Sequence, residues 1–269
     1  MEIEFKDVTF GYHGGRNVLE DINLKIEGPG LVCIIGPNGV GKSTLVKMIN
    51  KLLKPVKGEV LIDGRSTEEM THKDIAEQVG FVPAGTMDVF SMTVIDTVLI
   101  GRHNKSKWKT TQTDLEVVHR VLDMLDLKDL AMRGFNELSA GQHQRVALAR
   151  GLAMETPAII LDEPTSNLDV KHQVYVTELL RAIAVQQKKL VIMICHDLNI
   201  AARYSHQIIV LKEPGMVYKV GTPSEVMTEE AIREVYGIDC TVIQFDGSPH
   251  VILKSAFDDD DVSDLVEVQ

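Results

Sequence analysis

The segment spanning residues 36–44 carries the residues best suited to bind phosphate. It fits the pattern G-x-x-x-x-G-K-[ST] and lies between an apolar run at 31–35 and apolar residues at helical spacing. Glycines let backbone N–H groups turn toward phosphate oxygens, and a helix N-terminus adds partial positive charge. An incidental glycine-rich turn does not explain eight matched positions in this strand-loop-helix setting. The predicted nucleotide-binding residues of this loop are Gly36, Pro37, Asn38, Gly39, Val40, Gly41, Lys42, Ser43 and Thr44.

Three of these side chains have distinct predicted roles. Lys42 would bridge the β- and γ-phosphates of a nucleoside triphosphate, and the Ser43 hydroxyl would be a ligand to Mg²⁺. Thr44 would bind the neighbouring phosphate.

Two adjacent carboxylates follow a second apolar run, at residues 158–161. Because the carboxyl ends of parallel strands form the ligand-binding edge of such a sheet, we expect Asp162 and Glu163 to lie near the phosphate loop. Asp162 would complete the Mg²⁺ shell, and Glu163 would polarise the attacking water as a general base. A lone Asp-Glu pair is more often a solvated loop; the phosphate loop upstream favours the catalytic interpretation.

A histidine follows a third apolar run, at residues 191–195. His196 is therefore expected at the same edge, within reach of a γ-phosphate, and is the third predicted catalytic residue beside Lys42 and Glu163. An isolated histidine is more often structural, but this position agrees with the other motifs. The nine histidines form no H-x-x-x-H pair, and the three cysteines are widely spaced, so neither a transition-metal site nor a disulfide framework is predicted.

The pattern of apolar residues predicts an α/β fold. Alternation at residues 3–10 and 18–26, around Gly14-Gly15, predicts an antiparallel hairpin, and the runs at 31–35, 158–161 and 190–194 predict a mostly parallel, buried sheet. Helices are predicted from the apolar spacing of Leu115, Val118, Leu122 and Leu125 and of Val176, Leu179, Leu180 and Ile183. Further predictions are a helical subdomain at about 86–151, a hairpin at 208–220 and a short helix at about 228–236.

The charge balance disfavours nucleic acid as a partner. The formal net charge is -11, and the one short basic run, Lys105, Lys107 and Lys109, is interpreted as a solvated loop. No apolar window is long enough to cross a bilayer and the first residues do not resemble a signal peptide, so a cytosolic location is expected. The residues from Asp258 onward include six acids and predict a flexible tail, with a regulatory role as the alternative.

Further motifs carry a family resemblance. Residues 138–142, Leu-Ser-Ala-Gly-Gln, followed by Gln144-Arg145-Val146, resemble the signature sequence of ABC ATPases and stand between the two preceding motifs as that family requires. Residues 166–169, Ser-Asn-Leu-Asp, resemble its D-loop, His196 its switch histidine, and Tyr12 its adenine-stacking aromatic. The resemblance covers residues 1–240, and residues 241–269 are interpreted as a C-terminal extension with an acidic tail.

The resemblance implies a P-loop NTPase fold with an antiparallel β lobe and a helical subdomain. It also implies ATP and Mg²⁺ as ligands and a head-to-tail homodimer, in which Ser139, Gly141, Gln142 and Asp169 meet the ATP held by the partner's phosphate loop. Implied partners are a transmembrane permease and, indirectly, an extracytoplasmic solute-binding protein. The chain would then be peripheral on the inner face of the cell membrane.

Several segments are similar to ATPases of importers for iron chelates, haem or cobalamin. They are Gly101-Arg102-His103 and residues 195–204, 226–230 and 235–237. Two alternatives are a non-transport ABC ATPase of DNA maintenance or translation and a nucleotide-gated regulatory dimer without hydrolysis. The chain has neither an inserted coiled coil nor a second ATPase domain, which disfavours the first. Glu163 and His196 disfavour the second.

Two positions depart from the family pattern. Ala140 stands where the signature usually has glycine, which is tolerable unless that position needs a positive φ. Ala84 stands where the family carries a glutamine that touches the metal and its water, and no glutamine occurs in residues 79–111. We hypothesise that water or a backbone group replaces the amide and that basal hydrolysis is modest.

This hypothesis predicts the effect of restoring the amide. The Ala84→Gln variant should raise ATP turnover or tighten magnesium affinity, because the side chain would again contact the metal and its water. Phosphate release measured across a magnesium titration checks this, and unchanged turnover together with unchanged magnesium affinity would contradict it.

Overall fold

The computed structural model describes residues 1–12, 15–85, 92–103, 105 and 110–254. The strands are β1 (Glu2–Gly11), β2 (Asn17–Glu27), β3 (Gly30–Ile35), β4 (Lys57–Ile62), β5 (Arg65–Ser66), β6 (Val79–Val82), β7 (Ala158–Asp162), β8 (Leu190–Ile194), β9 (Gln207–Lys212), β10 (Met216–Gly221), β11 (Cys240–Phe245) and β12 (Ser248–Leu253). The α-helices are α1 (Lys42–Ile49), α2 (His72–Gln78), α3 (Val94–Leu99), α4 (Gln112–Met124), α5 (Ala140–Ala153), α6 (Val170–Gln186), α7 (Leu198–Tyr204), α8 (Pro223–Val226) and α9 (Glu229–Tyr236).

A six-stranded sheet in the order β10-β9-β3-β8-β7-β6 forms the centre of the fold. Its strands run parallel from β9 to β6, and only β10 pairs antiparallel, with β9. Every residue of β3, β7 and β8 is buried, as strands with covered faces require. The predicted parallel sheet and the predicted hairpin at residues 208–220 are confirmed.

The register of this sheet aligns the ends of three strands. Ile34 of β3 and Asp162 of β7 both pair with Ile194 of β8. The phosphate loop, the Asp162-Glu163 pair and His196 follow these ends directly in the chain. The three predicted motifs therefore meet at one edge of the sheet.

The central sheet separates two hydrophobic cores, because successive residues of a strand face opposite sides. Val32 and Ile34 face the core shared with α1 and with the antiparallel sheet β2-β1-β4-β5. Leu31, Cys33 and Ile35 face the core shared with α4, α5 and α6. The predicted β1–β2 hairpin is confirmed, and all three cysteines are buried thiols.

A buried ion pair links segments of the helical part of the chain, because Arg102 contacts both α4 and the end of α5. The Arg102 Nε atom lies 2.9 Å from Asp114 Oδ1, and Arg102 Nη1 donates to the Ala153 carbonyl at 2.7 Å and to Glu155. Hydrogen bonds from Thr111 and then from Arg102 lower the pKa of Asp114 to about 2. Helices α3, α4 and α5 lie in the region predicted to be helical, whose domain boundaries stay a prediction.

The C-terminal extension contains an element that sequence analysis did not predict. Strands β11 and β12 form an antiparallel hairpin around Asp246-Gly247, with Val242 paired to Val251. An Asp-Gly pair between alternating residues is a hairpin signal that could have revealed it. The predicted helix at 228–236 is confirmed as α9. The predicted acidic tail and the basic residues Lys107 and Lys109 lie outside the described residues.

Within the described residues, none of the helices is both long enough and apolar enough to cross a membrane.

Candidate functional site

The phosphate loop joins β3 to α1 through backbone conformations that favour glycine. Gly36, Gly39 and Gly41 have φ angles of 149°, 81° and 103°. Gly41 is also the N-cap of α1, and without a side chain it leaves the first N–H groups of the helix facing the loop. The local fold thus supplies the ring of backbone donors that phosphate binding needs.

The side chain of Lys42 is held over this loop by backbone carbonyl groups of the loop itself. Its amino group donates to the carbonyl oxygens of Gly36 and Pro37, both at 2.8 Å, and the residue is only 6% exposed. Burial lowers the pKa of Lys42 from its ordinary value, while the nearby Glu163 and Asp162 carboxylates act to raise it. A buried cation with two neutral partners is well suited to an incoming anion.

Ser43 and Asp162 form the predicted metal-binding pair. The Ser43 hydroxyl donates to Asp162 Oδ1 at 3.0 Å. Asp162 is 2% exposed, and burial raises its pKa, against the effect of the Ser43 hydrogen bond. Hydroxyl and carboxylate oxygens suit Mg²⁺, which keeps several waters and is bound by few protein ligands plus phosphate. Among the described residues no group of three or more His, Cys, Asp and Glu side chains is arranged to hold a metal ion.

Glu163 and His196 touch at the same edge of the sheet. His196 Nε2 lies 2.6 Å from Glu163 Oε1, and both side chains are partly exposed. Glu163 has a φ of 52°, a left-handed conformation that is costly for a residue with a side chain. The structure therefore brings together all the predicted catalytic and metal-binding side chains.

Tyr12 lies beside the loop with more than half of its surface free. It is 53% exposed, packs edge-to-face on Phe10, and its hydroxyl is 3.4 Å from the Thr44 hydroxyl. An exposed ring at this position is available to stack on a planar base.

The signature residues lie at a different cleft. Ser139 is the exposed N-cap of α5 and forms a capping box with Gln142. The cleft has a volume of about 340 Å³, is lined also by Gly141 and Asp169, and includes neither Lys42 nor Glu163. Ala140 lies in the helix and is not among the residues with positive φ, so its methyl group is accommodated.

Asp169 is held at the edge of this second cleft by α6. Its carboxylate caps the helix by accepting from the His172 backbone at 2.9 Å and contacts the His172 ring. These bonds lower the pKa of Asp169. The predicted site residues thus divide into two groups on one chain, one around Lys42 and one around Ser139.

Two residues, one buried and one half-buried, support the first group although sequence analysis gave them no role. Gln144 of α5 is 2% exposed and its Nε2 donates to the Glu163 carbonyl at 3.3 Å, while its Oε1 has no partner among the described residues. Tyr236 receives a hydrogen bond from the Gly36 backbone, and burial raises its pKa. A polar residue at an inward position of a helix was the available signal for Gln144.

Comparison with known proteins decides the family. The family model described as "ABC transporter" matches residues 19–166, which is more than half of the chain. The chain belongs to the ABC transporter family. An uncharacterised ABC transporter ATP-binding protein of Methanocaldococcus jannaschii is 41% identical over 94% of this chain and 98% of its own length. The iron(3+)-hydroxamate import ATP-binding protein of Bacillus subtilis is 36% identical, over 88% of each chain.

Solved structures show the same fold. A transporter described as of metal-chelate type, in an inward-facing conformation, has a TM-score of 0.79 at 27% identity and covers 94% of this chain and 97% of its own. A dimeric ATP-binding cassette bound to ADP and phosphate in a post-hydrolysis state has a TM-score of 0.75 at 32% identity, covering 82% and 98%. The protein is an ABC ATPase with the P-loop NTPase fold that its motifs imply.

The phosphate loop of this ABC ATPase makes a prediction about its glycines. A Cβ on Gly36 would lie 2.4 Å from the Leu211 carbonyl oxygen, whereas a Cβ on Gly39 would meet nothing within 4 Å. Gly39→Ala should therefore cost only the strain of a left-handed residue, about 1–2 kcal/mol, and Gly36→Ala should cost more and weaken ATP binding. Denaturant unfolding and nucleotide titration of both variants check this, and equal losses would contradict it.

Proposed function

We propose that two copies of this chain enclose two ATP molecules head to tail, and that ATP hydrolysis drives a permease importing a metal chelate. The observation that carries the proposal is the convergence of Lys42, Ser43, Asp162, Glu163 and His196 at one sheet edge. Each of these groups suits one part of a Mg²⁺-bound triphosphate and its attacking water.

The phosphate end of ATP fits the loop by charge and by geometry. Lys42 would exchange its two carbonyl partners for β- and γ-phosphate oxygens, and the N–H groups at the start of α1 would hold the remaining oxygens. Ser43 and Asp162 would hold Mg²⁺, which when bound supplies positive charge to the phosphates. Tyr12 would stack on the adenine ring.

Glu163 and His196 would act on the water and the γ-phosphate. Glu163 would orient the water and accept its proton, because it is the partly exposed carboxylate next to the metal ligand Asp162. The His196 ring, 2.6 Å from Glu163, would keep that carboxylate in place and reach the γ-phosphate. Gln144 and Ser166 would support the arrangement by donating to the Glu163 carbonyl, at 3.3 and 3.1 Å.

The separation of the two clefts favours a head-to-tail dimer. Ser139 presents a hydroxyl and the positive end of the fourteen-residue helix α5, which suits a γ-phosphate. Since the cleft of Ser139 does not include Lys42, a second copy would bring the two groups to one nucleotide. Bound ATP would then be part of the interface, and hydrolysis would loosen it.

Relatives support an importer and suggest its cargo. The proteins of similar sequence include ATP-binding subunits for import of iron(3+)-hydroxamate in Bacillus subtilis and of cobalamin in Halobacterium salinarum, the latter 36% identical. We therefore propose that the chain binds the cytoplasmic face of a permease, which receives its substrate from a solute-binding protein. A metal chelate is the cargo class that these relatives share.

The role of Glu163 gives the first test of this function. Glu163→Gln should reduce kcat for ATP by about a hundredfold or more, because it removes the general base, while ATP binding persists. The variant should also accumulate as an ATP-bound dimer in size-exclusion chromatography with light scattering.

Glu77→Gln is the matched control, since Glu77 is an exposed residue of α2 that pairs with the exposed Lys73 at the surface. It should hydrolyse ATP like the wild type. A Glu163→Gln variant with wild-type turnover would rule out the proposed base, and a variant that stays monomeric with ATP would argue against the dimer.

A transport assay tests the cargo class. Cells lacking this chain should lose uptake of radiolabelled ferric hydroxamate or of cobalamin, and the wild-type chain should restore it whereas Glu163→Gln should not. Full uptake of both compounds in cells without the chain would refute the proposed import of these chelates. The proposal that the chain hydrolyses ATP would still stand.

A further inference from the structure

The hairpin formed by β11 and β12 packs on the helix that follows the switch histidine. Among the described residues, Asn199 and Arg203, one turn apart on α7, make the polar side-chain contacts between this helix and the hairpin. The Asn199 side chain bonds to Val251 of β12, and Arg203 Nη2 lies 2.7 Å from Asp246 in the hairpin turn. The hairpin is therefore attached to the same helix face at two points.

The contact of Asn199 has the geometry of strand pairing. Asn199 Oδ1 accepts from the Val251 N–H at 2.7 Å, and Asn199 Nδ2 donates to the Val251 carbonyl at 3.2 Å. Val251 is 4% exposed and lies on the free edge of the two-stranded sheet β11-β12. Buried edge groups need partners, and one amide side chain provides both.

His196 lies in the short connection between strand β8 of the central sheet and α7. On one side the Cys195 N–H donates to the Ile34 carbonyl at 3.1 Å. On the other side Asp197 caps α7 by accepting from the Asn199 and Ile200 N–H groups, at 2.8 and 2.9 Å. The position of His196 therefore depends on where the first turn of α7 lies.

On its inner side the first turn is held by Leu198, which packs on the hydrophobic core, and by the Cys195 Sγ atom, which donates to the Asp197 carbonyl at 3.2 Å. Its outer side faces a cavity of about 370 Å³, which separates His196 and Asp197 from Tyr236 and the hairpin. The buried residues of α7 begin at Ile200 and fix the axis of the helix, whereas Asn199 precedes them and is half-buried. Among the described residues, the bidentate bond of Asn199 to β12 is the hydrogen-bonded link between this turn and the hairpin across the cavity.

We propose that Asn199 is a positioning residue for hydrolysis, which holds His196 against Glu163 by fastening the first turn of α7 to the C-terminal hairpin. The inference rests on the proposed role of His196. It gives the C-terminal hairpin a function in the ATPase site.

Kinetics provide the first test. Asn199→Ala should lower kcat about tenfold or more at an unchanged KM for ATP, because a small displacement of a catalytic side chain slows the reaction without weakening substrate binding. Arg203→Ala, which removes the exposed contact between the same helix and hairpin, should keep kcat within about twofold. In a His196→Ala background, Asn199→Ala should cause no further loss.

Imidazole NMR of the ligand-free full chain provides a second test that does not need turnover. The His196 signal is assigned by its loss in His196→Ala. Glu163→Gln should shift that signal in the wild-type and Arg203→Ala backgrounds, because ring and carboxylate touch, and should shift it far less in the Asn199→Ala background.

The outcomes separate this inference from the proposed function. A wild-type kcat in Asn199→Ala would overturn the inference. So would a loss of kcat on adding Asn199→Ala to His196→Ala that equals the loss in the wild-type background. An NMR shift on Glu163→Gln that is as large in the Asn199→Ala background as in the wild type would also overturn it. If His196→Ala hydrolyses ATP at the wild-type rate, the proposed role of His196 fails, and the NMR response alone decides whether Asn199 positions the ring. Thermal unfolding of every variant shows whether a loss reflects global instability instead.

Discussion

The parallel pairing of β3, β8 and β7 determines where the reactive side chains of this ABC ATPase lie. The three strands are buried along their whole length, so a shift in register would move entire rows of apolar side chains out of the two cores. The alignment of Ile34, Asp162 and Ile194 is therefore strongly specified. Because the phosphate loop, Glu163 and His196 follow these strand ends directly, the alignment of the strands also fixes where these groups lie.

The site that results is a set of ionisable side chains held by polar partners. Lys42 rests on two carbonyl oxygens, Asp162 accepts from Ser43, and Glu163 contacts His196. Burial raises the pKa of Asp162 and lowers that of Lys42, so both ions are destabilised relative to water and gain from a bound counter-charge. The ligand-free pocket is thus arranged so that nucleotide and metal relieve the cost of burial.

Sequence patterns predicted the elements of this site better than its contacts. Continuous apolar runs identified the buried strands, because that signal lies within each short segment. The hairpin β11–β12 was not predicted, although Asp246-Gly247 marks its turn. The bonds of Gln144 to the Glu163 carbonyl and of Asn199 to Val251 join residues far apart in the chain, and no local pattern reports such pairing. The helical boundary at 86–151 stays a prediction.

Glu163 illustrates what the position of a reactive group can cost the rest of a protein. Its left-handed backbone, with a φ of 52°, is a conformation that asparagine and glycine adopt more readily than glutamate. Selection for heat resistance alone would accordingly favour those residues at this position, and selection for turnover opposes them. Thermostable descendants of this chain obtained without an activity screen would therefore be expected to accumulate inactive members that have changed at this one residue.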